Sequence, residues 1–167
     1  MKKILKLNKK KFFPVNIPHI TNNDIRYVNN ALKSGWISSD GPNVKIFEEK
    51  FSKYINRKYS IAVSSGTAAL EIAVKALGIK KNDEVLIPNF TIISNALAVI
   101  KQHAKPVLLD CNLENWNINI DDIEKKINKK TKAIIITHIY SFPNDMDKIL
   151  KICKKKKIFV IEDAAEV

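Results

Sequence analysis

Two segments of the chain, far apart in sequence, carry residue types able to do chemistry together. In Ser64-Ser65-Gly66-Thr67-Ala68-Ala69-Leu70 a strand end, a tight turn and a helix start follow one another. Small residues there let the backbone approach an anion, the helix N-terminus offers unpaired amides with a positive dipole end, and the Thr67 hydroxyl adds a donor. The same residues also describe a well-capped helix of an α/β unit. Neither Gly-Lys-Ser/Thr nor G-x-G-x-x-G is present, so the turn is not a nucleoside-triphosphate or dinucleotide loop. At the other end, Ile161-Glu162-Asp163-Ala164-Ala165 delivers a carboxylate to the C-terminal end of an apolar strand, where open α/β sheets hold their ligands. A carboxylate buried there needs a cation or a protonated ring nitrogen as partner, unless Asp163 instead caps a following helix. Glu162 points to the opposite face and is the weaker candidate.

Three more residues fall at the same level of the predicted sheet. Phe90 lies just past the strand Glu84 to Ile87 and can stack on a planar ligand, or serve as core. His138 and Tyr140, in Thr137-His138-Ile139-Tyr140-Ser141, come off another strand end, and the histidine reads equally as a hydrogen-bonded structural residue. His19 and His103 have no partner at catalytic or metal spacing. No metal site is expected.

Positioning these residues requires a regular scaffold, and the pattern supplies one. Short β-branched runs at Ser60 to Val63, Glu84 to Ile87, Pro106 to Leu109, Ala133 to Thr137 and Ile158 to Ile161 alternate with helical segments at Thr67 to Leu77, Thr91 to Gln102, Asp121 to Ile127 and Asp145 to Lys156. Continuous rather than alternating apolar strands predict an α/β fold with a mostly parallel sheet and helices on both faces. Upstream, Thr21-Asn22-Asn23-Asp24 has capping-box spacing, with Ile25, Val28 and Leu32 on one helical face until Gly35. A second amphipathic helix is predicted from Val44 to Ile55. The loop Gly35 to Pro42 between them carries the indole of Trp36, and residues 1 to 16 read as a basic arm.

Composition narrows the class. A chain of 167 residues, 46% hydrophobic and 28% charged, can bury a core and is neither disordered nor membrane-like. No apolar run reaches the ~18 residues of a membrane span, and Lys6 interrupts the N-terminal apolar stretch too early for a secretory signal, so a cytoplasmic protein without membrane partners is expected. Cys111 and Cys153 have no C-x-x-C spacing and read as reduced thiols. The net charge of +12 suggests nucleic acid, but its cations are nearly all lysines spread over every element. A groove reader favours clustered arginine, so no nucleic-acid partner is expected.

The ordered motifs Trp36-Ile37-Ser38-Ser39, Gly41-Pro42, Phe47-Glu48, Ser65-Gly66-Thr67-Ala68-Ala69-Leu70, Asp83-Glu84-Val85 through Pro88, Ala104-Lys105-Pro106-Val107, Trp116-Asn117-Ile118, Thr131-Lys132-Ala133-Ile134, Asp145-Met146-Asp147 and Glu162-Asp163-Ala164-Ala165-Glu166 resemble the nucleotide-sugar aminotransferases of the DegT/DnrJ/StrS type. The resemblance runs from about Pro14 to Val167. It implies the large domain of a fold type I enzyme dependent on pyridoxal 5′-phosphate (PLP). Residues 17–167 would then be an incomplete PLP-binding domain, with the C-terminal domain and the Schiff-base lysine both beyond Val167. Carried over by position, the amides of Gly66, Thr67 and Ala68 would hold the phosphate, Phe90 would stack on the pyridine ring, and Asp163 would pair with its protonated nitrogen. Glu166 falls near the ring oxygen, while Trp36 and Tyr140 are substrate candidates. The resemblance also implies a homodimer, a nucleotide-linked keto-deoxysugar as acceptor and glutamate as donor. Alternatives from other classes are a sugar dehydratase of the same family and a non-catalytic remnant or nucleic-acid-binding module. Relatives commonly read His-x-Tyr-Gly where this chain has Ser141, which forfeits the freedom of glycine at positive φ and predicts a changed loop.

Overall fold

The computed structural model describes Pro14 and residues 17–167; the basic arm of residues 1 to 16, Pro14 apart, lies outside them. The described residues form two compact units, one ending at Ala62 and the other Val63–Val167.

In the first unit, α1 (Asn22–Ser34) begins at the expected capping box. The Asp24 amide donates to Thr21 Oγ1 at 3.4 Å and the Thr21 amide to Asp24 Oδ2 at 2.7 Å. Gly35, at φ 73°, ends the helix with its amide on Leu32 O. The stripe of Ile25, Val28 and Leu32 is exposed rather than covered. Helix α2 (Pro42–Tyr54) starts two residues before its predicted bound because Pro42 occupies the first turn, where no N–H is needed. Its Phe47 and Phe51 rings stack at 5.6 Å.

One predicted strand does not form. Residues 59–63 carry no ladder partner among the described residues and meet α2 instead: the Ala62 amide donates to Glu48 Oε1 at 2.7 Å and Ser60 Oγ to Glu48 O at 2.5 Å.

In the second unit the order is α3 (Gly66–Ala76), β1 (Glu84–Pro88), α4 (Ser94–Ile100), β2 (Lys105–Leu109), α5 (Ile120–Lys126), β3 (Thr131–Thr137), α6 (Met146–Lys156) and β4 (Phe159–Asp163). The sheet order is β2-β1-β3-β4, and every pairing is parallel. Side-chain alternation separates two cores. Val85, Ile87, Ala133 and Ile135 face one side with Leu70, Val74, Ala98 and Val99 of α3 and α4. Leu86, Ile134 and Ile136 face the other with Ile123 of α5 and Ile149 and Cys153 of α6. Both faces of the two central strands are thus dry, which is why their sequences are continuously apolar. Helix α4 is shorter than its predicted span of 91–102, because residues 89–93 turn away from the strand end before the helix starts.

Carboxylates at helix starts set the acid limit. Hydrogen bonds from Thr21 to Asp24, from Lys126 to Asp122 and from Lys148 to Asp145 hold all three below the ordinary carboxylate range. Depressed folded values mean stability that is fully present above the unfolded pKa and lost as pH falls through the folded one. Far-ultraviolet circular dichroism should therefore show helix loss as the pH falls below the ordinary carboxylate range. Asp145→Asn should lower the melting temperature at neutral pH and leave it unchanged at the acid end. An equal drop at both pH values would exclude the carboxylate as the cause.

Burial pushes the Cys153 thiol up to about 11, whereas Cys111 is half-buried. A thiol reagent at neutral pH should label Cys111 in the native protein and reach Cys153 only on unfolding; equal labelling of both would contradict the packing of α6.

Candidate functional site

Open parallel sheets bind ligands outside the carboxyl ends of the strands, where the strand order reverses. Here the chain leaves β1 for β2 on one side and leaves β3 for β4 on the other, and β1 and β3 are neighbours. The reversal lies between them. The loop after β1 carries Phe90 and the loop after β3 carries Tyr140, so the topology alone brings these two predicted site residues together. Their ring centroids are 6.4 Å apart in an edge contact.

Helix α3 brings its N-terminus to the same end. Thr67 Oγ1 lies 2.9 Å from Ser94 Oγ at the start of α4, just past the β1 loop. Ser65 is the N-cap, and its hydroxyl accepts the Ala68 amide at 3.2 Å. That amide is therefore committed to the cap, while the amides of Gly66 and Thr67 have no acceptor among the described residues. A Cβ built on Gly66 would meet nothing within 4 Å, so the cradle stands open.

Asp163 closes β4 as expected, paired in register with Thr137. Its carbonyl accepts the His138 amide at 3.2 Å and its Oδ1 accepts the Ala165 amide at 3.3 Å. One weak backbone donor leaves the carboxylate able to accept another. Glu166 is engaged with the Tyr140 loop: Oε2 accepts the Tyr140 amide at 2.6 Å, and its carbonyl accepts the Ser141 hydroxyl. Trp36 belongs to the first unit, with its indole 56% exposed.

His138 takes the structural role. It is buried, Nδ1 accepts the Asn144 amide at 3.1 Å, and Nε2 lies 3.1 Å from Glu162 Oε1. An accepting Nδ1 puts the proton of the neutral ring on Nε2, facing the carboxylate. The missing glycine does not cost the loop its left-handed backbone, contrary to the expectation from Ser141. Ser141 keeps a left-handed backbone at φ 64°, next to Tyr140 at φ 48°, and its hydroxyl bond to Glu166 offsets the cost to a residue with a Cβ.

Sequence reasoning assigned no role to several residues gathered here. Trp116, at φ 61°, packs its ring 5.2 Å from Phe90 at a 46° tilt. Thr91, the residue after Phe90, forms a hydroxyl–amide cluster with Asn95 and Thr137. A polar residue ending an otherwise apolar strand, as Thr137 does, was the available signal.

An open helix N-terminus, an aromatic ring without a parallel partner and a carboxylate with spare accepting capacity, set at one sheet end, suit a planar cationic ring bearing a phosphate. The chain belongs to the DegT/DnrJ/EryC1/StrS aminotransferase family, whose model matches residues 18–167. It is 43% identical over 156 residues to the GDP-perosamine synthase of Escherichia coli O157:H7, covering 93% of this chain and 43% of that enzyme. The chain thus spans less than half the length of the curated relatives it matches. Among solved structures, the aminotransferase from Psychrobacter cryohalolentis superposes with a TM-score of 0.85 at 32% identity, over 90% of this chain and 38% of that one. A GDP-4-keto-6-deoxymannose-3-dehydratase with a trapped PLP-glutamate geminal diamine superposes with a TM-score of 0.86 at 25% identity, over 93% and 42%.

Proposed function

We propose that these residues form the PLP-binding part of an aminotransferase that moves an amino group from glutamate to a nucleotide-linked keto-deoxysugar, for cell-surface polysaccharide or deoxysugar synthesis. A GDP-linked 4-keto-6-deoxy sugar is the favoured acceptor, in keeping with the likeness to GDP-perosamine synthase. What supports the reading is that the open α3 N-terminus, tied to the start of α4 by Thr67, the Phe90 ring after β1 and the Asp163 carboxylate closing β4 all lie toward the C-terminal end of the sheet.

Bound PLP supplies the electron sink for proton transfer at the substrate carbon. The chain's residues hold and tune it. The Gly66 and Thr67 amides bind the phosphate, and the α3 dipole adds to their pull. Ala68 contributes through the helix it helps cap, not through a free amide. Phe90 covers a ring face and excludes water from it. Asp163 holds the proton on the ring nitrogen, which stays cationic beside a carboxylate. Glu166 fixes the Tyr140 loop, so that Tyr140 stands exposed for the sugar nucleotide. Trp36 remains a substrate candidate on the resemblance alone. The lysine base, which the resemblance sets downstream of Asp163, is not supplied by residues 1–167, so these residues alone should bind the cofactor without turnover. We place the whole protein in the cytoplasm as a homodimer.

The test is a PLP titration followed by incubation of the intact protein with 15N-glutamate and GDP-4-keto-6-deoxymannose. Visible-band absorbance on titration and 15N in the sugar product are expected. A product that has lost water and gained no 15N would select the second reading, a sugar dehydratase, which the likeness to the dehydratase structure favours. Absence of any PLP binding would sink both.

A further inference from the structure

We propose that Asn95 and Thr137 are positioning residues: a buried amide–hydroxyl tether that sets the Phe90 loop, and with it the aromatic wall of the site. Thr91 directly follows Phe90, and its hydroxyl donates to Thr137 Oγ1 at 3.0 Å. The Asn95 Nδ2 group donates to both hydroxyls, at 2.7 Å to Thr91 and 2.8 Å to Thr137. Asn95 is fully buried and Thr137 nearly so.

Three features argue that this cluster positions the loop and is not incidental packing. Asn95 is the second residue of α4, buried beside Ser94 and one turn before the apolar Ala98 and Val99 of the core. Burying an amide there is costly, and its Oδ1 has no hydrogen-bond partner among the described residues. An apolar side chain would satisfy packing at less cost, so the retained amide points to a geometric task. Thr137 also reaches the other loops of the cleft. Its carbonyl accepts Asn144 Nδ2 at 2.8 Å, and Asn144 in turn holds His138 at the root of the Tyr140 loop. Across the ladder Thr137 is in register with Asp163. One residue therefore links the Phe90 loop, the Tyr140 loop and the last strand.

The tether ranks the loops' freedom without touching the cofactor. The consequence for cofactor affinity rests on the PLP reading above; the effect on the loops does not. Hydrogen–deuterium exchange of the intact protein separates the two. Thr137→Val deletes the hydroxyl at constant shape and should raise exchange about tenfold in peptides spanning 88–95 and 138–144, with the strand interiors 85–87 and 133–136 unchanged. Thr137→Ser should restore protection. In a parallel titration, Thr137→Val should weaken PLP binding about tenfold and Thr137→Ser should not. Exchange equal to wild type in the valine variant, a uniform rise over the whole second unit, or failure of serine to rescue would overturn the proposal. If Thr137→Val does not fold, Thr91→Val and Thr91→Ser decide the matter by the same comparison. A wild-type protein that binds no PLP would defeat the cofactor reading while the exchange data still judged the tether.

Discussion

Asp163→Asn is expected to lower amino-group transfer by the intact protein about 10²- to 10³-fold at saturating PLP, the usual loss when one preorganised electrostatic partner of the reacting system is removed. The substitution keeps the size and the backbone position at the end of β4, and its side-chain oxygen can still accept the Ala165 amide. Only the charge is deleted. Under the proposed function, the ring nitrogen would then lose the group that keeps it protonated, so kcat should fall while KM for the sugar nucleotide changes little. Asp163→Glu, which preserves charge but lengthens the arm, should retain more activity than the asparagine variant. Steady-state kinetics decide it. Wild-type kcat in Asp163→Asn would remove Asp163 from the site.

The largest stability effect is expected at Ile135 of β3. It is fully buried in the core under α3 and α4, and its truncation to alanine should cost about 2–5 kcal/mol. That is a large part of the roughly 5–15 kcal/mol that holds a domain folded. Ile134, one residue earlier, packs into the opposite core under α5 and α6, and should cost a similar amount for an independent reason. Leu108 on edge strand β2 is 51% exposed, so Leu108→Ala should cost less than about 1 kcal/mol. Urea midpoints of the three variants test the two-core description. A Leu108 variant as damaged as the Ile135 variant would mean that the β2 edge is covered.

The scaffold was legible because its signals are local. The apolar runs of strand length that became β1 to β4, the Thr21 capping box and the Gly35 stop each announce themselves within a few residues. The extended stretch at 60–63 misled for the complementary reason: β-branched residues show that a segment can be a strand, but pairing depends on a neighbour, and Glu48 took that place. The site was half legible. Gly66, Thr67, Phe90 and Asp163 sit at strand and helix ends, positions that sequence order predicts. The commitment of the Ala68 amide to Ser65, the packing of Trp116 on Phe90 and the Thr91–Asn95–Thr137 cluster depend on three-dimensional neighbours distant in the chain. His138 shows the same limit, since only its contacts with Asn144 and Glu162 reveal that both ring nitrogens are engaged.

The all-parallel pairing also governs the order in which the molecule can assemble. Parallel neighbours cannot be joined by a hairpin, so each ladder waits for a distant segment: Glu84 meets Lys105 on one side and Thr131 on the other, and Ala133 meets Phe159. Such high contact order slows folding, because loop-closure entropy is lost before any pairing returns it. The carboxylate of Asp163 arrives with β4, the last of these four strands in chain order. During translation, then, the open α3 N-terminus at Gly66 can exist well before the carboxylate at the end of β4, and a ligand that needs both has to wait for β4 to dock on β3.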